Sequence, residues 1–326
     1  MKIFLFAVKL VIIGALAWLL LSRVNFAPVG HFLRSGRAIG AMAFCVAALI
    51  VQAALAALRF RWIMRLMGHA FTFRLGFSTW MIGLLVSQTL VTFIAGDATR
   101  IWQIVRGGYG RRLAGGAVFL ERALGFAVLM AMVVASIPFL LDHGATGAVR
   151  TGLLALALLC AVGIVGFVAS GFTDKVIGRL VPRLRQNRIA DGLLDVTSAA
   201  RYLAASWPLS LGIVALSAVM HLCNVAAFYI LGEAAGIDLP ALTVSAVALP
   251  VMLIALMPIA LAGWGVREGA AVVGYGLFAV PAETAVTVSV AFGLALLIAS
   301  LPGGFYLWSA RSGLQPPDTE ANSLPA

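Results

Sequence analysis

The sequence predicts an all-α polytopic membrane protein, and three observations carry that prediction. The 326 residues are 62% hydrophobic and 11% charged, about half the charged fraction of soluble domains. Eight apolar runs, 3–22, 39–57, 75–95, 113–141, 151–171, 207–231, 241–262 and 284–308, punctuate the chain, and a helical span needs roughly 20 apolar residues. The basic residues fall between those runs, as they do in cytoplasmic loops that face anionic lipid. A net charge of +11 would suggest nucleic acid in a soluble chain; distributed in this way, it marks topology instead.

The elements follow in order. Run 3–22 is flanked by Lys2, contains Lys9 and carries "ALA" at 15–17. Its apolar character continues through Leu21, so a cleavage site is poorly placed and the run is expected to remain as a first span. Run 39–57 brings the chain back to the cytoplasmic side. There "LRFRWIMRLMGHAFTFR" (58–74) places Arg61 and Arg65 one turn apart on one face, which reads as a short interfacial helix.

A full crossing by 75–95 would put Arg100, Arg106, Arg111 and Arg112 outside, against the positive-inside tendency. The conflict disappears if residues 75–106 form a re-entrant hairpin that turns at "AGD" (95–97). Runs 113–141 and 151–171 then cross, leading to a cytoplasmic loop at 172–206 with Lys175, Arg179, Arg183, Arg185, Arg188 and Arg201. Run 207–231 crosses to an outer loop, 232–240, which has Glu233 and Asp238 but no Lys or Arg. A second hairpin, 241–280, enters from there, turns at "PIALAGWG" (258–265) and returns. Run 284–308 crosses to Arg311.

The expected architecture is about six full spans plus two oppositely oriented re-entrant hairpins. They form one transmembrane domain over 1–310, with a short disordered tail at 311–326 and both termini cytoplasmic. Each hairpin has a Gly turn, an Arg within a few residues, a short helix and then a long span, a similarity of the inverted-repeat kind.

The chemistry-bearing residues are the charges at depth. "MPIALAGWGVREGA" (257–270) breaks a helix and places Arg267 and Glu268 in an apolar setting. Unsatisfied backbone groups cost several kcal/mol in hydrocarbon, and a central ionisable residue costs about 2.5–3.5 kcal/mol on insertion scales. Such residues are expected to be paired or to face a wet pathway. The helix that starts after Gly265 offers free N–H donors, which favour an anion such as phosphate.

In the first hairpin, Asp97 is a candidate N-cap with Arg100 on its first turn. Glu121 and Arg122 are neighbours that point about 100° apart, so each needs a partner on another helix. Arg122–Asp97 and Glu121–Arg267 are the open pairings. Asp97, Arg100, Glu121, Arg122, Arg267 and Glu268 sum to zero charge, so a structural ion network is the plain alternative to a binding site.

Lesser signals are Gly265-x-x-x-Gly269 as a packing motif, His221 with Asn224, and Ser87 with Gln88 as cavity-lining or helix-bridging groups. Trp62, Trp80, Trp207 and Trp308 are expected as interfacial anchors. Cys45, Cys160 and Cys223 lie in apolar runs without a CxxC and read as buried packing residues. His31, His69, His143 and His221 are scattered, with no metal-binding spacing. No metal, cofactor or catalytic motif is expected.

"LRFRWIMRLMG", "FIAGDATRIWQIVR", "VFLERALGF" and "MPIALAGWGVREGA…AVPAETAVTV" together resemble the lysylphosphatidylglycerol synthase transmembrane-region family, also called the flippase-like domain family. The resemblance runs from about residue 40 to 308. It extends to the membrane part and not to the soluble aminoacyl-transferase domain of some members, since some 15 residues follow the last span. The turn "VTFIAGD" departs from the family, which is often richer in Pro and Gly there.

The resemblance implies a flippase or scramblase for a phospholipid or aminoacylated phospholipid in the bacterial inner membrane. It implies substrate contacts at Asp97, Arg100, Glu121, Arg122, Gly265, Arg267 and Glu268. Without a Walker motif, direct ATP coupling is not expected. The alternatives are an intramembrane enzyme acting on a lipid, with carboxylates as acid and base, and a membrane partner that docks a separate biosynthetic enzyme through the 172–206 loop.

Overall fold

A computed structural model of the chain describes residues 27–89, 93–143, 145–170, 206–256 and 264–311. The expected first span 3–22, nearly all of the 172–206 loop, most of the second turn and the tail after Arg311 lie outside the described residues. The elements among the described residues are α1 (Ala27–Leu33), α2 (Gly36–Leu66), α3 (Phe73–Thr89), α4 (Phe93–Arg106), α5 (Arg111–Asp142) and α6 (Gly147–Ser170). They continue with α7 (Trp207–Ala234), α8 (Ala241–Ala255), α9 (Val266–Gly276), α10 (Ala282–Ser300) and α11 (Pro302–Arg311).

Five of these segments are long and apolar enough to cross a membrane: α2, α5, α6, α7, and α10 with α11. They coincide with five of the expected runs. Within residues 284–308 the hydrogen-bond ladder is interrupted between Ser300 and Pro302, although Leu301 keeps right-handed helical dihedrals. Proline lacks the amide the ladder needs.

The 58–74 segment is a correction. It is not a separate interfacial helix: α2 runs unbroken for 31 residues from the Ser35 cap, whose side chain accepts the Ala38 amide at 3.2 Å, to Leu66. Arg61 and Arg65 are exposed on it, whereas Arg59 is buried.

Two short antiparallel pairs complete the bundle. In the first, 17-residue α3 packs on 14-residue α4, and in the second, 15-residue α8 packs on 11-residue α9. At 1.5 Å per residue these helices reach only about 17–26 Å, short of the roughly 30 Å hydrocarbon core. The first turn is not at "AGD". Residues 95–97 lie within α4, and residues 90–92, between the two helices, lie outside the described residues. Gly96 lies against Ser87 and the Gly83 carbonyl, and the absence of a side chain lets the two helices touch there.

The pairs open at opposite ends of α5. The base of α3–α4 sits beside the start of α5, where Tyr109 donates to the Ala70 carbonyl at 2.7 Å and stacks near Phe71 at 5.3 Å. This brings the ends of 58–74 and 100–112 to the same side of the bundle, as the charge pattern requires. The base of α8–α9 meets the other end of α5, with Phe278 6.4 Å from Phe139 and 5.8 Å from His143.

The centre is built by α2 against α7, with α5, α8 and α10 around them. Cys45, Leu49, Leu129, Phe228, Tyr275 and Val288 form its interior. Cys45 and Cys160 are buried as expected; Cys223 is only half-buried, a correction that follows from its place on the outer side of α7. Helix α6 turns Leu158, Val162 and Val165 outward, a surface suited to lipid rather than water.

The α3–α4 pair is clamped from outside by α11. A methyl group on Gly303 would collide with the backbone carbonyl of Met81, and the nearest Leu85 carbon would lie 3.0 Å away. Gly269, by contrast, faces open space, so the Gly265–Gly269 spacing is not a packing seam. Gly303→Ala is therefore expected to destabilise the protein by about 1–3 kcal/mol, while Gly269→Ala stays near neutral. Thermal unfolding of the two purified variants in detergent, followed by size-exclusion, checks the contrast.

Candidate functional site

The polar interior starts from Glu121, in the third turn of α5 and 1% exposed. Its Oε1 accepts from Arg59 Nη2 at 3.0 Å, and its Oε2 accepts from Arg100 Nη2. Arg59 also donates from Nη1 to Ser217 Oγ on α7 at 2.9 Å. Losing one cation from a buried ion pair costs about 3–5 kcal/mol; a cation on each oxygen is what permits this carboxylate to exist there. Arg100 lies over the Trp80 ring at 4.6 Å and the Phe60 ring at 5.3 Å, an attraction that grows when the cation is desolvated. Trp80 is thus part of the interior and not the interfacial anchor the sequence suggests.

The same network continues to a wetter pair. Arg122 grips Asp97 with Nε at 3.0 Å from both carboxylate oxygens and Nη2 at 2.8 Å from Oδ1. The two side chains are 30% and 25% exposed. Arg100 Nη1 stands 3.8 Å from Asp97 Oδ1 and links the pairs. The result is one alternating row: Arg59, Glu121, Arg100, Asp97, Arg122.

A second cluster stands at the start of α9. Glu268 Oε1 accepts from Arg267 Nε at 3.2 Å, Arg267 Nη2 at 2.9 Å and Ser289 Oγ at 2.8 Å. Its Oε2 accepts the Gly265 amide at 2.5 Å. Gly265 has φ of 82°, the left-handed region where a side chain is costly. Trp264 covers the Arg267 guanidinium at 4.9 Å and Phe292 lies 5.7 Å from it.

A cavity of about 220 Å³ separates the clusters, and α2, α3, α5, α7, α8, α9 and α10 all contribute to its wall. Arg59, Glu121 and Arg122 reach it from one side and Arg267 from the other. Gln88, His221 and Asn224 complete its polar lining, with His221 Nε2 donating to the Gly125 carbonyl at 3.0 Å. Ser87 is instead turned onto its own helix, donating to the Gly83 carbonyl at 2.8 Å.

Each deep arginine has a glycine opposite it. A methyl on Gly83 would lie 2.6 Å from Arg100 Cγ, and one on Gly125 would lie 3.4 Å from Arg59 Nη1. On Gly293 it would overlap Arg267 Nη2 and come within 2.7 Å of the Trp264 ring.

All seven predicted site residues are buried or half-buried, but they fall into two groups. Asp97, Arg100, Glu121 and Arg122 share one network; Gly265, Arg267 and Glu268 form the other. The Arg122–Asp97 pairing is present. The Glu121–Arg267 pairing is not, because Arg59 and Arg100 already occupy both oxygens of Glu121. Asp97 is not an N-cap: it is the fifth residue of α4, and its carboxylate serves arginines. The start of α9 is not an open anion site either, since Glu268 reaches back to cap it.

Arg59 is the residue sequence reasoning missed. Helical geometry held the signal: at 100° per residue, Arg61 and Arg65 share a face while Arg59 points about 200° away from Arg61.

The family described as the lysylphosphatidylglycerol synthase TM region matches residues 6–304. The chain belongs to that family and is a multi-pass membrane protein with a membrane-lipid-related role. No curated protein and no solved structure matches it.

The burial order predicts the order of damage. Glu121→Gln removes the carboxylate that buried Arg59 and Arg100 share and is expected to cost about 3–5 kcal/mol. Arg122→Gln breaks a half-exposed pair and is expected to cost about 1 kcal/mol or less. Parallel thermal-unfolding curves in detergent read the difference; equal losses would contradict the assigned roles.

Proposed function

We propose that this protein is a flippase or scramblase that carries a phospholipid across the bacterial inner membrane. The headgroup passes through the charged cavity while the acyl chains stay in the bilayer. The observation that supports this reading most directly is the row of five alternating charges that ends at a cavity between two short helix pairs. Charges placed at depth without a pathway to serve are an expensive scaffold.

Several features support the reading. The four short helices are too short to cross comfortably, so α3–α4 and α8–α9 act as re-entrant hairpins dipping from opposite leaflets. Each carries the same kit: an arginine paired with a glutamate, a tryptophan over the guanidinium and a glycine facing it on a neighbouring helix. That likeness is the expected form of an inverted repeat with its site near the midplane. In this reading both termini lie in the cytoplasm, which the basic loops support. On the same reading Arg59, Arg122 and Arg267 contact phosphate from the cavity wall, and Glu121, Asp97 and Glu268 hold them.

The enzyme alternative is disfavoured by the partners of the carboxylates. Glu121, Asp97 and Glu268 each accept from guanidinium groups, so their oxygens are engaged in ion pairs rather than presented to a substrate as a base. The protein is proposed as a transporter and not a catalyst.

Reconstitution into vesicles with fluorescent phospholipids tests the proposal. Arg122→Ala and Arg267→Ala are expected to slow lipid movement about tenfold or more, equivalent to ~1.4 kcal/mol of barrier. Movement at the wild-type rate in both variants overturns the site.

A further inference from the structure

We infer that the cavity selects a lipid headgroup bearing a phosphodiester and no amine, in preference to an aminoacylated one. The inference rests on the transport reading for the lipid character of the ligand, but its content comes from the charge and hydrogen-bond balance of the wall.

The charge balance shifts once Arg59 is included. Among the described residues, the two clusters hold four arginines, Arg59, Arg100, Arg122 and Arg267, against three carboxylates, Asp97, Glu121 and Glu268. One positive charge is left over. It sits in a largely apolar enclosure, where an uncompensated charge attracts a counter-ion far more strongly than at the surface. A headgroup with a single negative charge neutralises it; a headgroup with a phosphodiester and two lysyl amines adds to it.

The hydrogen-bond balance runs the same way. An ammonium group needs acceptors, and the acceptors here are occupied. Both oxygens of Glu121 face arginines, both of Asp97 face Arg122, and those of Glu268 face Arg267, Ser289 and the Gly265 amide. Donors, in contrast, are in surplus. Arg59 is 5% exposed and lines the cavity, and its Nε has no hydrogen-bond partner among the described residues. A phosphodiester in the cavity supplies acceptor oxygens to the guanidinium groups that line it, those of Arg59, Arg122 and Arg267. The remaining polar wall, Gln52, Gln88, His221 and Asn224, holds no carboxylate that could receive an amine.

The experiment measures preference separately from movement. The whole protein, purified in detergent at 0.15 M salt, is titrated with radiolabelled phosphatidylglycerol and with lysyl-phosphatidylglycerol, and the same two lipids are followed in reconstituted vesicles. Phosphatidylglycerol is expected to bind about tenfold tighter. Gln88→Glu and Asn224→Asp each place a carboxylate on the cavity wall while leaving every arginine of the two clusters in place. Each is expected to cut that ratio about threefold or more.

Equal or tighter binding of the lysyl lipid by the wild type overturns the inference. So does a ratio that neither acidic variant changes, because the preference then belongs to the basic surface and not to the cavity. A preserved ratio with no movement of either lipid leaves the selectivity standing and removes the transport reading.

Discussion

Glu121 is a carboxylate almost out of reach of solvent, and the arrangement of the bundle follows from what it takes to keep one there. An ionised carboxylate in a low-dielectric interior needs positive charge close to each oxygen. Those charges arrive from two helices that are far apart in sequence, Arg59 on α2 and Arg100 on α4. The contact therefore fixes the first helix pair against α5 and against the central α2–α7 packing. Ser217 on α7 holds the other end of Arg59, so four helices converge on one side chain.

Guanidinium groups are wide, and helices packed at ordinary spacing have no room for them. The bundle makes room by placing a glycine on the facing helix and an aromatic ring over the flat side of the cation. Gly83 with Trp80 serves Arg100, and Gly293 with Trp264 serves Arg267. Gly293 is thus explained by its arginine, Gly303 against Met81 is a close approach of helices, and Gly83 serves both uses, meeting the Arg100 side chain and the Gly96 backbone. Two uses of one residue type, indistinguishable in sequence, separate once the neighbours are known.

The consequence for function is a wall with more donors than acceptors. The inner part of the row is buried, and the Arg122–Asp97 pair at its end is half-exposed, where water can replace a broken ion pair. The second cluster is neutral and self-capped, with Glu268 serving its own helix start as well as Arg267. The two sides of the cavity differ in charge even though they are built from the same parts.

The sequence by itself determined the all-helical membrane class, the positions of the five described long apolar helices and the need for two short helix pairs. Hydrocarbon allows few ways to satisfy a backbone, and loop charge constrains which side each end must face. It also determined which ionisable residues of the two clusters belong to the polar interior, with Arg59 the exception, because an ionisable side chain inside an apolar run has little reason to be there otherwise. Tertiary structure alone decided who pairs with whom. Glu121 chose Arg59 and Arg100 over Arg267, residues 95–97 became part of a helix and not a turn, and α2 continued through a segment whose arginines suggested a surface. These outcomes depend on distances between helices that share no sequence neighbourhood, and a linear pattern holds no measure of those distances.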